Sequence, residues 1–344
     1  MSRLLMVSCH SVLEFDELRL FHSLGIDVFS HGAYVDPRDN SGDPKRPPLT
    51  ELPFHEDLFP LAKATPKEAL HPALFDWADV VVFMGAANWI QDNWGELAPR
   101  IAKGLRVIWR SIGQSSSYIE RILRDLQAGG IELVRYSPTE RELPGYAGDG
   151  AAMIRFVKDP AELGGWTGEM ERIISVGQMV KPRNNYCGLQ WFERATEGLP
   201  RLMIGPHNAD IETMPSALLS YDELIEALRV NRAFFYTGTY PAPYTLGFVE
   251  AWIAGIPVVA IGPKLRNHHF GGGLEGYEIP HLIENGVNGY WSDDVGALRR
   301  YCEGLLSDRD LAQAIGEQGR AKATALFGTE TVAAQWRALL FGDA

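Results

Sequence analysis

The stretch Tyr244-Thr-Leu-Gly-Phe-Val-Glu-Ala-Trp-Ile-Ala-Gly-Ile-Pro-Val-Val-Ala260 holds the residues best spaced to do chemistry. A turn of small residues leads into a short helix that carries Glu250; the helix stops at Gly255, and Pro257 opens an apolar strand. The first amides of a helix lack intrahelical partners and favour anions. This order therefore aims the backbone of Tyr244, Thr245 and Leu246 at a phosphate, and it brings the Glu250 carboxylate within reach of a ribose diol.

Four more groups of polar residues sit at the ends of apolar runs. Ile174-Ser-Val-Gly-Gln-Met-Val-Lys-Pro-Arg-Asn184 turns at Gly177 and presents Gln178, Lys181 and Arg183. A guanidinium at 183 donates bidentate bonds to phosphate oxygens, whereas Gln178 donates only a neutral bond. Near the start, Ser8-Cys-His-Ser-Val-Leu-Glu-Phe-Asp-Glu17 leaves a strand and enters a helix. It has two readings. Ser11 and Glu14 form a capping box, or His10, Glu14 or Asp16 faces a bound ligand as a catalytic group. Arg110-Ser-Ile-Gly-Gln-Ser116 precedes another helix, and such a turn binds anions, so Arg110 and Gln114 are expected to line a cleft. Finally, His268 and His269 lie in a polar, glycine-rich loop over 267–273 and are expected to touch a ligand. Two adjacent histidines without a third ligand argue against a metal site.

These residues need elements to hold them. The first half alternates short apolar runs with amphipathic ones: strands over 4–8, 27–30, 79–85, 105–110, 131–136 and 153–157, and helices over 14–24 and 116–128. Residues 79–85 are almost continuously apolar, as in a parallel strand buried on both faces. Residues 36–53 are rich in Pro, Asp and Gly and read as a loop, and 161–170 read as a linker. The alternation then restarts with strands over 172–176, 201–205, 233–236 and 258–261. Helices are expected over 186–196 and 221–229, then over 295–307, 309–327 and 329–340. The fold class is α/β, with two Rossmann-like domains facing a central cleft. The expected boundaries are 1–160, 171–325 and a final segment, 326–344, that crosses back to the first domain.

A chain of 344 residues fits two cores rather than one. The hydrophobic fraction of 46% and charged fraction of 22% are ordinary for a globular protein. The longest apolar runs are too short to cross a membrane, and the first residues read as a strand rather than a secretion signal. Three widely spaced cysteines argue for a reducing, cytoplasmic setting. The net charge of −12 disfavours non-specific nucleic-acid binding. One local exception holds Arg100, Lys103, Arg106, Arg110, Arg121 and Arg124 against only Glu120; it reads as a solvated helix face or as a basic wall.

Taken in order, the motifs of residues 170–340 resemble the retaining glycosyltransferases of family 4, glycosyltransferase group 1. The resemblance rests on the 174–184 turn, the 244–260 stretch and Glu278-Ile-Pro-His-Leu-Ile-Glu-Asn-Gly-Val-Asn-Gly-Tyr290. It implies the GT-B fold and transfer of a hexosyl or pentosyl group from a nucleotide-diphosphate sugar to an acceptor hydroxyl. A UDP-sugar is the expected donor, and no cofactor or metal is expected. Arg183, Gly177 and Gln178, with a share for Lys181, are implied to hold the diphosphate, and Glu250 the ribose. Two departures stand out. Gln178 occupies the place of an Arg, and Ala242 that of the family's first Glu, which leaves retention and inversion both open. The N-terminal half matches weakly, and its glycine-rich turn is replaced by residues 8–17. A soluble acceptor is expected. Alternatives are a bacteriophage-type enzyme acting on hydroxymethylated bases in DNA, a sugar-nucleotide epimerase, and an inactive nucleotide-binding protein.

Overall fold

The computed structural model describes residues 2–113, 115–270 and 276–342. Two compact units emerge. One comprises Met1–Val157 with Thr329–Ala344, and the other Lys158–Gly328.

The first unit is built on six parallel strands: β1 (Arg3–Ser8), β2 (Asp27–His31), β3 (Val80–Met84), β4 (Arg106–Arg110), β5 (Glu132–Arg135) and β6 (Ala152–Met153), in the order β2-β1-β3-β4-β5-β6. Parallel strands need crossovers that cover both faces, so central strands must be apolar throughout. Every residue of β3 is accordingly buried. Helix α1 (Ser11–Ser23) follows β1, and its Leu13, Phe15, Leu18, Leu20 and Phe21 are all buried. Strand β6 is shorter than the expected 153–157 strand. The carbonyls of Ile154 and Arg155 accept from the Arg110 guanidinium at 2.6 and 3.0 Å instead of extending the ladder.

The second unit repeats the scheme with β7 (Met170–Val176), β8 (Arg201–Ile204), β9 (Ser216–Ala217), β10 (Asn231–Tyr236), β11 (Val258–Ile261) and β12 (Tyr290–Ser292), in the order β12-β11-β10-β7-β8-β9. All five pairings are parallel. Helix α2 (Leu246–Ala254) lies between β10 and β11 and is buried on all sides from Phe248 to Ala254. The expected linker is in fact folded onto this unit. Pro160–Leu163 is a short helix, Trp166 Nε1 donates to the Asn231 carbonyl at 2.8 Å, and Arg229 Nε donates to that of Gly164 at 2.7 Å.

The last helix, α3 (Thr329–Phe341), packs in the first unit. Its Trp336 is fully buried edge-on to Phe21 at 4.9 Å, and its Leu339 and Leu340 carbonyls accept from Arg106. In each sheet the strand order reverses beside the first strand of the unit: β1/β3 in one, β7/β10 in the other. In open parallel sheets, ligands bind beyond the carboxyl ends of the strands at such points.

Candidate functional site

Beyond the β7/β10 switch point lies a small cavity. Gly177, Gln178 and Arg183 line it from the turn after β7; Tyr236, Thr237, Gly238, Thr239 and Thr245 line it from the end of β10 and the loop that leads to α2. The two motifs are some sixty residues apart in sequence, yet their polar groups share one space.

The turn after β7 is tightly held. Gly205 has φ of +133°, and a Cβ there would come within 2.1 Å of the Gly177 carbonyl, so only glycine allows this approach. Asn208, buried, donates through Nδ2 to the carbonyls of Gly177 at 2.7 Å and Gly205 at 3.1 Å, and its Oδ1 accepts from Val180 N at 3.0 Å. Arg183 is half-buried, and among the described residues its Nη1 reaches only the Gln178 carbonyl, at 3.4 Å. Lys181 departs from expectation: its ammonium binds the Asp210 carbonyl, beside Glu193, Glu212 and Thr213, and it does not line the cavity. It therefore shares no clamp with Arg183.

The loop before α2 also differs from the sequence reading. Of the three backbone groups aimed at a phosphate, the Thr245 amide is already committed, donating to the Tyr236 hydroxyl at 2.9 Å. Burial pushes that phenol up to about 12, so it stays protonated at neutral pH and keeps a proton to donate. Tyr236 looked in the sequence like the apolar end of a strand, and only its hydroxyl, next to Thr-Gly-Thr, signalled otherwise. Tyr244 is core, packed edge-on to Phe327 at 5.4 Å. Leu246 and Gly247, the first helical residues, are half-exposed and present the α2 N-terminus. Glu250 is buried one turn further, where its Oε1 accepts from Lys158 Nζ at 2.6 Å. Lys158 went unnoticed because it lies ninety-two positions away in sequence. Ala242 is buried, and its carbonyl accepts from Arg266 Nη2 at 2.9 Å.

His268 and His269 do not line the cavity. The first packs edge-on to Trp191 at 5.2 Å, and the second lies 3.0 Å from Gln190 Nε2. Gly271, Gly272 and Gly273 of that loop, and Gln114 of the first unit, lie outside the described residues.

In the first unit the structure overturns several expected roles. Glu14 is 0% exposed; its carboxylate accepts from Ser30 Oγ at 2.7 Å, Tyr34 N at 2.8 Å and Ala33 N at 2.9 Å. Burial pushes its pKa up, against the pull of these bonds. It anchors the turn after β2 and cannot meet an acceptor. Asp16 is likewise buried in α1. His10, not Ser11, is the N-cap, with Nδ1 accepting from Leu13 N, so the expected capping box does not form. Arg110, also 0% exposed, donates to Glu17 Oε1 at 3.0 Å as well as to the three carbonyls of Arg135, Ile154 and Arg155; it lines nothing. Of the six cations that might form a basic wall, Arg100 pairs with Asp76 and Glu96, Arg106 with Glu132 and Arg110 with Glu17, whereas Lys103, Arg121 and Arg124 are exposed. Among the described residues, no three His, Cys, Asp or Glu side chains come together as metal ligands, and no helix is long and apolar enough to cross a membrane.

No protein-family model and no curated protein matches the chain by sequence. Solved structures do match by shape. Sucrose-phosphate synthase (tll1590) from Thermosynechococcus elongatus aligns over 98% of both chains at 14% identity, with a TM-score of 0.68. Anabaena Alr3699/HepE in complex with UDP-glucose aligns over 97% of this chain and 98% of its own, also at 14% identity and TM-score 0.68. The fold is GT-B-like. This GT-B-like chain also aligns, over 98% of its length and 99% of the other's, with an alpha-glucosyltransferase in complex with UDP and a 13-mer DNA containing a HMU base, at 11% identity and TM-score 0.63.

Proposed function

We propose that the protein is a glycosyltransferase that takes its sugar from a nucleotide diphosphate, a UDP-sugar by preference, bound on the second unit. The observation that carries this reading is the common cavity of the Gly177–Arg183 turn and the Tyr236–Thr245 loop at the β7/β10 switch point. Its polar groups suit a diphosphate. Arg183 supplies a guanidinium with no carboxylate partner among the described residues, Tyr236 a hydroxyl proton, and α2 the positive end of a helix. Negative charge grows on the departing diphosphate as the glycosidic bond breaks, and fixed donors aimed there lower the barrier. That stabilisation asks for no metal ion. Glu250, held in place by Lys158, is the group we assign to the ribose hydroxyls.

We favour retention of configuration. Inversion needs a protein base at the acceptor hydroxyl, and two of the three expected candidates, Glu14 and Asp16, are buried. His10 is the candidate that stays near the surface. The free thiols of Cys9, Cys187 and Cys302 suit a reducing compartment, and we place the enzyme in the cytoplasm. DNA is the weaker choice of acceptor, because the net charge is −12 and three of the arginines that might form a basic wall, Arg100, Arg106 and Arg110, are paired with carboxylates.

Release of UDP from a panel of UDP-sugars tests the reading. Wild type should turn over at least one of them, if only by slow transfer to water. Arg183→Gln should lose kcat at least as strongly as it raises KM, because it acts on charge that develops in the transition state. Normal kinetics in that variant would remove Arg183 from the chemistry.

A further inference from the structure

The turn that carries Gln178 and Arg183 is fastened along its length to the loop after β8. The Gly177 amide donates to the Ile204 carbonyl at 2.9 Å, and the Met179 amide to that of Pro206 at 3.1 Å. Lys181 joins the two segments again through the Asp210 carbonyl. Between them sits Asn208, 2% exposed. It spends both amide hydrogens on the carbonyls of Gly177 and Gly205, and its oxygen accepts from Val180 N. Among the described residues, Gly177 and Val180 line the cavity and Asn208 does not.

Each segment also holds one residue in a left-handed conformation: Met179 at φ of +51° and His207 at φ of +58°. A residue with a Cβ avoids this region, because the Cβ crowds the next carbonyl. It persists there only where its neighbours over-determine the backbone, and the bonds to Asn208 and Pro206 are such neighbours. The Met179 carbonyl in turn accepts from the Arg183 amide at 3.2 Å, so the left-handed step at 179 sets where the arginine side chain begins. That matters because, among the described residues lining the cavity, Arg183 alone is charged. A guanidinium binds two oxygens at once only when its fork is correctly aimed. With one cation in the cavity, aim decides how much of its charge a diphosphate receives.

We propose that Asn208 is a positioning residue for the donor: it holds the 177–183 turn in its binding shape before a nucleotide arrives, and it acts on the diphosphate only through Arg183. This role rests on the donor reading of the cavity, whereas the lock on the turn is testable without a ligand. Amide hydrogen exchange of the full chain reads the lock. In nucleotide-free wild type the Met179 and Val180 amides should exchange about a hundredfold or more slowly than in an unfolded chain. Asn208→Ala should lose that protection while β7 and β10 keep theirs. Exchange at unfolded rates in wild type, or unchanged protection in the variant, would overturn the proposal. Calorimetric titration of UDP reads the coupling to Arg183. Asn208→Ala opens the lock from one side. Gly205→Ala opens it from the other, since a Cβ there would come within 2.1 Å of the Gly177 carbonyl. Each is compared with wild type and again in an Arg183→Gln background, with thermal melts to confirm folding. Each variant should weaken UDP binding about tenfold or more when Arg183 is present and within about twofold when it is absent. An equal loss in both backgrounds, as general loosening of the unit would give, or no loss beside an intact Arg183, would overturn the proposal. If wild type binds no UDP, the donor reading fails and the role falls with it, while the exchange measurement still decides whether Asn208 locks the turn.

Discussion

Tyr236 accepts the Thr245 amide, so it ties the start of α2 to the cavity. Removing the hydroxyl in Tyr236→Phe strands that amide. We expect a loss of about 1–2 kcal/mol of stability in urea unfolding and a weaker UDP titration. A variant as stable as wild type with the same affinity would show the hydroxyl to be idle. Glu250 needs a subtler test, because its pairing with buried Lys158 also supports the fold. Breaking such a pair from one side costs about 3–5 kcal/mol, whereas removing both charges is often close to neutral. Glu250→Gln with Lys158→Met should therefore melt near wild type yet still bind UDP poorly. Recovered affinity in the double variant would take Glu250 out of the site. Gly177, Arg183 and Thr245 were legible in the sequence because turn chemistry is local. Lys158 and Asn208 were not, because their partners are brought to them by the fold across many residues.

At the scale of elements, α1 teaches the most. Acidic residues in a first helical turn normally face water, and the sequence reading placed Glu14 and Asp16 there. The helix is instead covered on nearly every side, with Glu14, Asp16 and Glu17 all buried. Its cover includes α3, from the far end of the chain. No local pattern could reveal this. Burial also gives Glu14 a testable pH signature. Its folded pKa lies above the ordinary 4.5, so the folded state holds the proton more tightly than the unfolded chain. That contribution is fully present below about 4.5 and is lost as pH rises to the folded value. Glu14→Gln carries no such loss. The stability advantage of wild type over this variant should therefore shrink as pH is raised from 4.5 in a series of thermal melts; a constant gap would mean that the Glu14 pKa is not raised. The strands were the easiest elements to read, since parallel strands buried on both faces are nearly continuous apolar runs. The two-residue β9 and three-residue β12 carry too little pattern to be found that way.

For the whole molecule, the restart of the strand–helix alternation after residue 170 was enough to predict two sheets of one class, and the GT-B-like fold follows from their common parallel order. The division of labour between the units is our proposal, and its foundation is nucleotide binding at the β7/β10 edge. The most direct test is a thermal melt of wild type and Arg183→Gln with UDP, GDP, dTDP and CMP. A ligand at about 100 times its dissociation constant adds roughly 2.7 kcal/mol to the stability of the state that binds it. We predict that UDP raises the wild-type melting temperature and that Arg183→Gln, folded but lacking the guanidinium, responds much less at the same concentration. No response of wild type to any of the four nucleotides, or an equal response of both proteins to UDP, would contradict the account.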